Sequence, residues 1–147
     1  MKKKVFLGGT CAESTWREYL ISKLDKDRID YFNPVVEDWT EECMDREIFE
    51  REHCDYVLYT ITPLMQGVYS IAEVVDDSNK RPEKTLFCVL DEDNGRYFTE
   101  GQIRSLNQVS KMVSNNGGKV FISIHAVSEY LNNLNGGIKE CYTTKER

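Results

Sequence analysis

Apolar residues in this chain fall into short runs that alternate with helical stripes. Lys4 to Leu7 is a brief apolar run that stops at Gly8-Gly9-Thr10. Glu13 to Leu24 then places Trp16, Leu20, Ile21 and Leu24 at the spacing of one helix face. Ile29 to Phe32 reads as a second short strand, ended by Asn33-Pro34. Thr40-Glu41-Glu42 opens an acidic helix, with Ile48 and Phe49 as its apolar face. Asp55 to Ile61 is crowded with β-branched and aromatic residues and reads as a buried strand. Val68 to Asn79 predicts a helix with Ile71, Ala72 and Val75 inward, broken at Arg81-Pro82. Lys84 to Leu90 is a fourth strand, and Asp91 to Gly95 a polar loop. Thr99-Glu100-Gly101-Gln102 has the form of a capping box and opens a helix to about Val113. After a turn at Asn115 to Gly118 come a fifth strand, Lys119 to Ile122, and a last helix, Ala126 to Leu134. The stretch from about 136 to 147 reads as a frayed tail.

Strands that alternate with helices in this way predict an α/β fold: a parallel sheet with helices on both faces. Ligands of such sheets bind at the carboxyl ends of the strands. This rule selects Gly8–Thr10, Asn33–Trp39, Thr62–Ser70 and Asp91–Thr99 as the loops of a site. It names a place and leaves the chemistry open.

The length of 147 residues fits one domain spanning 1–147. A hydrophobic fraction of 40% suits a globular chain that needs no disulfide or metal staple. The net charge of −6 argues against a nucleic-acid polymer as partner, since phosphate contacts need clustered Lys and Arg. Lys2-Lys3-Lys4 reads as the solvated start of a strand. No apolar run approaches the roughly 18 residues of a membrane span, and Val5-Phe6-Leu7 is too short for a secretory leader. A cytoplasmic protein is expected. Cys11, Cys43, Cys54, Cys88 and Cys141 are widely spaced with no C-x-x-C pair, and His53 and His125 are isolated. All seven read as structural or surface residues, and no metal or other cofactor is expected.

Two carboxylates carry the candidate chemistry. Glu73 falls in the first turns of a helix, at the positive end of its dipole and at the mouth of the sheet. Glu47 lies one helix earlier, among Glu42, Asp45, Glu50 and Glu52, so charge alone does not single it out. The plainer readings are a helix-start Glu and a solvated acidic face. Two carboxylates converging on one cleft are what glycosidic cleavage needs, one at the anomeric carbon and one for the proton. Gly8-Gly9-Thr10 lets backbone approach a ligand, but it is neither G-x-G-x-x-G nor a P-loop.

With these residues in place, the chain resembles the nucleoside 2-deoxyribosyltransferase superfamily, including its 2'-deoxynucleoside 5'-monophosphate N-glycosidase relatives. The resemblance runs from Val5 to about Thr99. Phe6-Leu7-Gly8-Gly9-Thr10 is similar to the first strand and its Gly-rich turn. Trp16-Arg17, Asn33-Pro34 and Asp38-Trp39 resemble elements of one branch. The family sets a catalytic acid eight positions before the Asp that opens the third strand and the nucleophilic Glu eighteen after it. Here Asp55 opens that strand, with Glu47 and Glu73 at those two spacings. Asp91 to Gly95 resembles the loop after the fourth strand. Thr99 stands where the family places an Asn or Ser that reaches a neighbouring subunit's site.

The resemblance implies a five-stranded, doubly wound sheet of flavodoxin-like or Rossmann-like form. It implies a glycosyl-enzyme formed on Glu73, with Glu47 moving the proton of the base and another base or water as acceptor. Phe6, Gly8, Gly9, Thr10, Asn33, Asp38, Trp39, Gly67, Ser70 and Thr99 are the implied substrate-binding set, and a homo-oligomer with shared sites is implied. Arg17 and Arg96 are candidates for a substrate phosphate. Three positions depart from the family pattern. A tyrosine of some members is Phe6, an Asp or Ser six residues before the nucleophile is Gly67, and the partner acid is Glu47 where Asp is more usual. A non-catalytic nucleotide-binding or sensing protein on the same fold, or a glycohydrolase acting on a dinucleotide such as NAD, are the competing readings.

Overall fold

The computed structural model describes residues 1–134. Cys141 and the tail expected from about 136 lie outside the described residues. The elements run β1 (Lys3–Gly9), α1 (Trp16–Lys23), β2 (Ile29–Phe32), α2 (Glu41–His53), β3 (Tyr56–Ile61), α3 (Tyr69–Lys80), β4 (Thr85–Val89), β5 (Glu92–Asp93), β6 (Arg96–Tyr97), α4 (Glu100–Asn115), β7 (Lys119–Phe121) and α5 (Ile124–Asn132). Five strands form one all-parallel sheet in the order β2-β1-β3-β4-β7. The chain leaves β1 for one neighbour, β2, and then crosses to the other, β3. The crevice beyond the carboxyl ends of β1 and β3 is therefore the topological switch point.

Strand alternation splits the core between the two faces of the sheet. Val5, Leu7, Leu58, Leu86 and Phe121 pack with Trp16, Leu20 and Leu24 of the α1 segment and Ile124, Val127 and Leu131 of α5. Phe6, Val57, Tyr59, Ile61, Phe87 and Val89 pack on the other face with Val74 of α3 and Leu106 and Val113 of α4. Helices thus cover both faces. Among the described residues no helix is long and apolar enough to cross a membrane.

Several local expectations are refined. The first helix begins at Trp16, not Glu13, because residues 11–14 form a turn. Ala12 is left-handed at φ 44°, the Ser14 amide donates to the Cys11 carbonyl, and the Ser14 hydroxyl donates to Asp93. On α3 it is Val74 that is buried, flanked by Ile71 and Val75, whereas Ala72 is exposed. The inward stripe thus runs 71, 74, 75, 78, one face of a 3.6-residue period. The polar loop after β4 is a hairpin, β5 against β6, turning at Asn94 (φ 50°) and Gly95 (φ 78°). Two positive φ angles in a row suit the twist of a two-residue hairpin, and Asn-Gly is the pair that adopts them most readily.

The apolar face expected on α2 is not covered by the rest of the described chain. Ile48 is 46% exposed and Phe49 53%. The buried side chain of this helix is Glu50, which meets the Lys4 ammonium at 2.9 Å, the Arg46 guanidinium at 3.0 Å and the Cys54 thiol at 3.4 Å. Burial would raise the Glu50 carboxyl, but hydrogen bonds from Lys4, Cys54 and Arg46 outweigh it and hold the group below its ordinary value. The helix is fastened by charge more than by apolar burial. Its N-terminus is capped by Thr40, whose hydroxyl accepts from the Cys43 amide.

Candidate active site

The floor of the switch-point crevice is built from backbone that comes very close. Gly9, at the end of β1, has φ 117°, and a Cβ there would fall 2.0 Å from the Thr60 carbonyl oxygen. Only glycine lets β1 and β3 approach in this way. A Cβ on Gly8 would meet the Tyr59 ring at 2.7 Å, so the absence of a side chain leaves room for that ring. Thr10 then clamps the two loops together: its amide donates to the Thr60 carbonyl and its hydroxyl accepts from the Thr62 amide, both at 2.9 Å.

Arg17 is spent beneath this floor. It is 3% exposed and donates to the carbonyls of Leu7, Thr10 and Gly9 at 2.9, 2.7 and 3.2 Å. Trp16 adds a 2.7 Å bond from its indole to the same Thr10 carbonyl. The Trp-Arg pair thus holds the turn after β1 in shape.

Glu47 and Glu73 stand on the helices before and after β3. Glu73 sits in the second turn of α3 with a side chain 13% exposed. Burial pushes its carboxyl up to about 7, against the pull of Arg51 and with a further push from Glu47 and Asp77. Glu47 projects from α2 toward the same place. Burial raises it as well, opposed by Arg51 and Arg17. Glu47 acts on Glu73 and Arg51 acts on both, so the two carboxyls share one electrostatic neighbourhood. It also separates Glu47 from its acidic neighbours. Glu42, Asp45 and Glu52 are exposed, and Glu50 is held down by its cations.

Sequence reasoning missed the group between the two acids. The Arg51 guanidinium lies 3.3 Å from Glu73, 3.2 Å from Asp77 and 3.6 Å from Asp76. Asp77 is fully buried and also accepts from the Tyr59 hydroxyl and the Arg81 guanidinium. Burial pulls Arg51 down, but Tyr59, Asp77 and Glu73 together outweigh it and hold the guanidinium above its ordinary value. The available signal was the spacing: Glu47 and Arg51 are four apart on one helix, as are Glu73 and Asp77 on the next.

The remaining expected residues are distributed unevenly. Phe6 is 2% exposed, its ring stacked on Phe32 with centroids 5.8 Å apart. It lies in the core under the sheet end, away from solvent. Asn33 is exposed and accepts from the Val35 amide, shaping the turn after β2. Asp38 and Trp39 are exposed, Trp39 at 59%, so this tryptophan is not a core residue. Gly67 and Ser70 lie on the loop and first turn that lead to Glu73. Thr99 makes a complete capping box with Gln102 at the start of α4. Asp55, at the opposite end of β3, accepts from the Lys4 amide and is a strand-pairing residue.

Comparison with curated proteins returns no match. The sequence profile of the family described as nucleoside 2-deoxyribosyltransferase like matches residues 2–92, more than half of the chain, with Glu47, Arg51, Glu73 and Asp77 inside the match. That description points to glycosyl transfer or N-glycoside cleavage on a nucleoside or nucleotide. The parallel sheet, the glycine floor at its switch point and this match agree: the chain belongs to the nucleoside 2-deoxyribosyltransferase-like family.

Proposed function

We propose that this protein breaks the N-glycosidic bond of a nucleoside, with Glu73 as nucleophile and Glu47 as the acid–base group. A Glu73 oxygen attacks the anomeric carbon as the bond to the base breaks. The bond's electron pair leaves with the base, which takes a proton from Glu47. The glycosyl ester on Glu73 is then opened by water or by a second base, whose proton returns to Glu47. The observation that carries this reading is a pair of partly buried carboxyls, both raised by burial and both in the field of Arg51, with Glu47 acting on Glu73. Burial favours the protonated form of both groups, and the Arg51 guanidinium, 3.3 Å from Glu73, favours the carboxylate that the nucleophile needs.

The charge of the loops supports a neutral nucleoside over a nucleotide. The four strand-end loops bring one basic residue, Arg96, against Glu37, Asp38, Asp91, Glu92 and Asp93. Arg17, the other candidate, donates to three carbonyls. A second copy of the chain is the proposed partner. Ile48 and Phe49 on α2 and Val68 and Tyr69 at the start of α3 expose apolar surface that association would cover.

A second reading, a binder without catalysis, is favoured by Phe6, which lacks a hydroxyl. Incubation with deoxynucleosides, ribonucleosides, their monophosphates and NAD, with free base as the readout, decides between the two. Turnover of nucleosides that is lost in Glu73→Ala supports the enzyme. Tight binding without free base from any substrate supports the sensor.

A further inference from the structure

We propose that Arg51 is the positioning residue of this site: Asp77, itself fixed by Tyr59 and Arg81, pins the guanidinium so that it bridges α2 to α3 and orients the Glu73 carboxylate. The inference concerns the same site and rests on the reading of Glu73 as nucleophile only for its effect on rate.

The geometry is a relay of fixed contacts. Asp77 is fully buried, and a buried carboxylate persists only where donors surround it. Four donors among the described residues do so here. The Arg51 Nε and Nη2 reach its two oxygens at 3.3 and 3.2 Å, and Tyr59 and Arg81 supply the others. Two parallel N–H bonds leave a planar guanidinium little freedom. With one edge held by Asp77, Nη1 stands 3.3 Å from Glu73 Oε2. A lysine offers no such fork and would not hold both partners at once.

The same placement manages charge. Glu73 faces Arg51 and Glu47 from α2, Asp76 and Asp77 from its own helix and Tyr59 beyond Asp77, while Arg17 acts on Glu47. Arg51 is the cation common to Glu47 and Glu73. Without it, two acids and a buried aspartate would face one another, and Glu73 would hold its proton to higher pH.

The test is the titration of Glu73 itself, followed by carbon NMR of glutamate-labelled protein, with Glu73→Gln to assign the signal. Arg51→Met takes two donors from the buried Asp77, a loss large enough to threaten folding. Arg51→Met/Asp77→Asn therefore serves beside it, with circular dichroism to verify the fold. The proposal expects the midpoint to move up by about one unit in folded Arg51→Met, and Arg51→Lys to recover part of the shift. In the double variant, where Asp77 no longer opposes ionisation, it expects a smaller upward shift. An unchanged midpoint in the methionine variants that fold overturns it. Where nucleosides are turned over, kcat is expected to fall at least tenfold in Arg51→Lys with KM within about threefold. Equal kcat in Arg51→Lys and the parent overturns the orienting role. If the parent shows no turnover but the midpoints move as stated, the enzymatic reading fails while the electrostatic role of Arg51 stands.

Discussion

Arg51 and Glu73, from the helices before and after β3, meet at 3.3 Å. The contact is an ion pair only while Glu73 is ionised, and burial has moved that ionisation close to neutrality. Much of what the site does with pH follows from this pair.

Turnover should fall on the acid side as Glu73 takes up its proton. The nucleophile acts as the carboxylate, and its midpoint is about 7. Rates of base release measured across the range from about pH 5 to about pH 9 should therefore rise with pH through a midpoint near neutrality and fall again once Glu47 loses the proton that it gives to the base. An acid limb centred near the ordinary glutamate value would place the nucleophile elsewhere.

Stability should change in the opposite direction. Glu73 binds its proton more tightly in the folded chain, at about 7 against 4.5, so the folded state carries more protons between those values. The contribution of Glu73 to stability is full below 4.5 and is lost as pH rises through about 7. Glu73→Gln removes this loss. Its melting temperature should exceed that of the parent at pH 8, by the equivalent of on the order of 1–3 kcal/mol, and the difference should shrink toward pH 5. Thermal melts of both proteins at the two pH values measure it.

Two glycines in the site loops should behave oppositely. Gly9→Ala drives a Cβ into the Thr60 carbonyl from a left-handed φ and should cost roughly 3 kcal/mol or more. A Cβ added at Gly67 would have nothing within 4 Å, and the φ there is not positive. Gly67→Ser should alter stability by less than about 0.5 kcal/mol. It also restores a hydroxyl where the family carries Asp or Ser, so base release should rise. Denaturant unfolding and the rate assay together decide both.

Trp39 offers an exposed ring on the loop after β2. If it stacks on the base, Trp39→Ala should raise KM about tenfold or more while unfolding stays nearly unchanged, since base–aromatic stacking is worth about 1–3 kcal/mol. Unchanged KM would remove Trp39 from the binding set.

The architecture was legible because its signals are local. Five short apolar runs and the helical stripes between them pointed to the sheet and its two helical layers. The capping box at Thr99 formed as its sequence reads. The hairpin after β4 was carried by Asn94-Gly95, a signal that polar composition masked. Ile48 and Phe49 show the limit of periodicity: an apolar stripe says that a face is apolar, not that this chain covers it. The candidate site was legible only through the resemblance. Glu47 and Glu73 stand out only because the family that the chain resembles sets its two acids at those distances from the Asp that opens the third strand, whereas Arg51 looks like one charge among many. Its meaning depends on Asp77, buried 26 residues further on, and that burial arises only when α2 and α3 meet beside Tyr59.

The central claim, that Glu73 forms a bond to the sugar, has a direct test. The protein is incubated with a nucleoside whose sugar is fluorinated to slow the second step, then digested and weighed by mass spectrometry. The account predicts one glycosyl group on the peptide that contains Glu73, absent in Glu73→Gln. Release of base with no adduct on that peptide, and with Glu73→Gln as active as the parent, would contradict it.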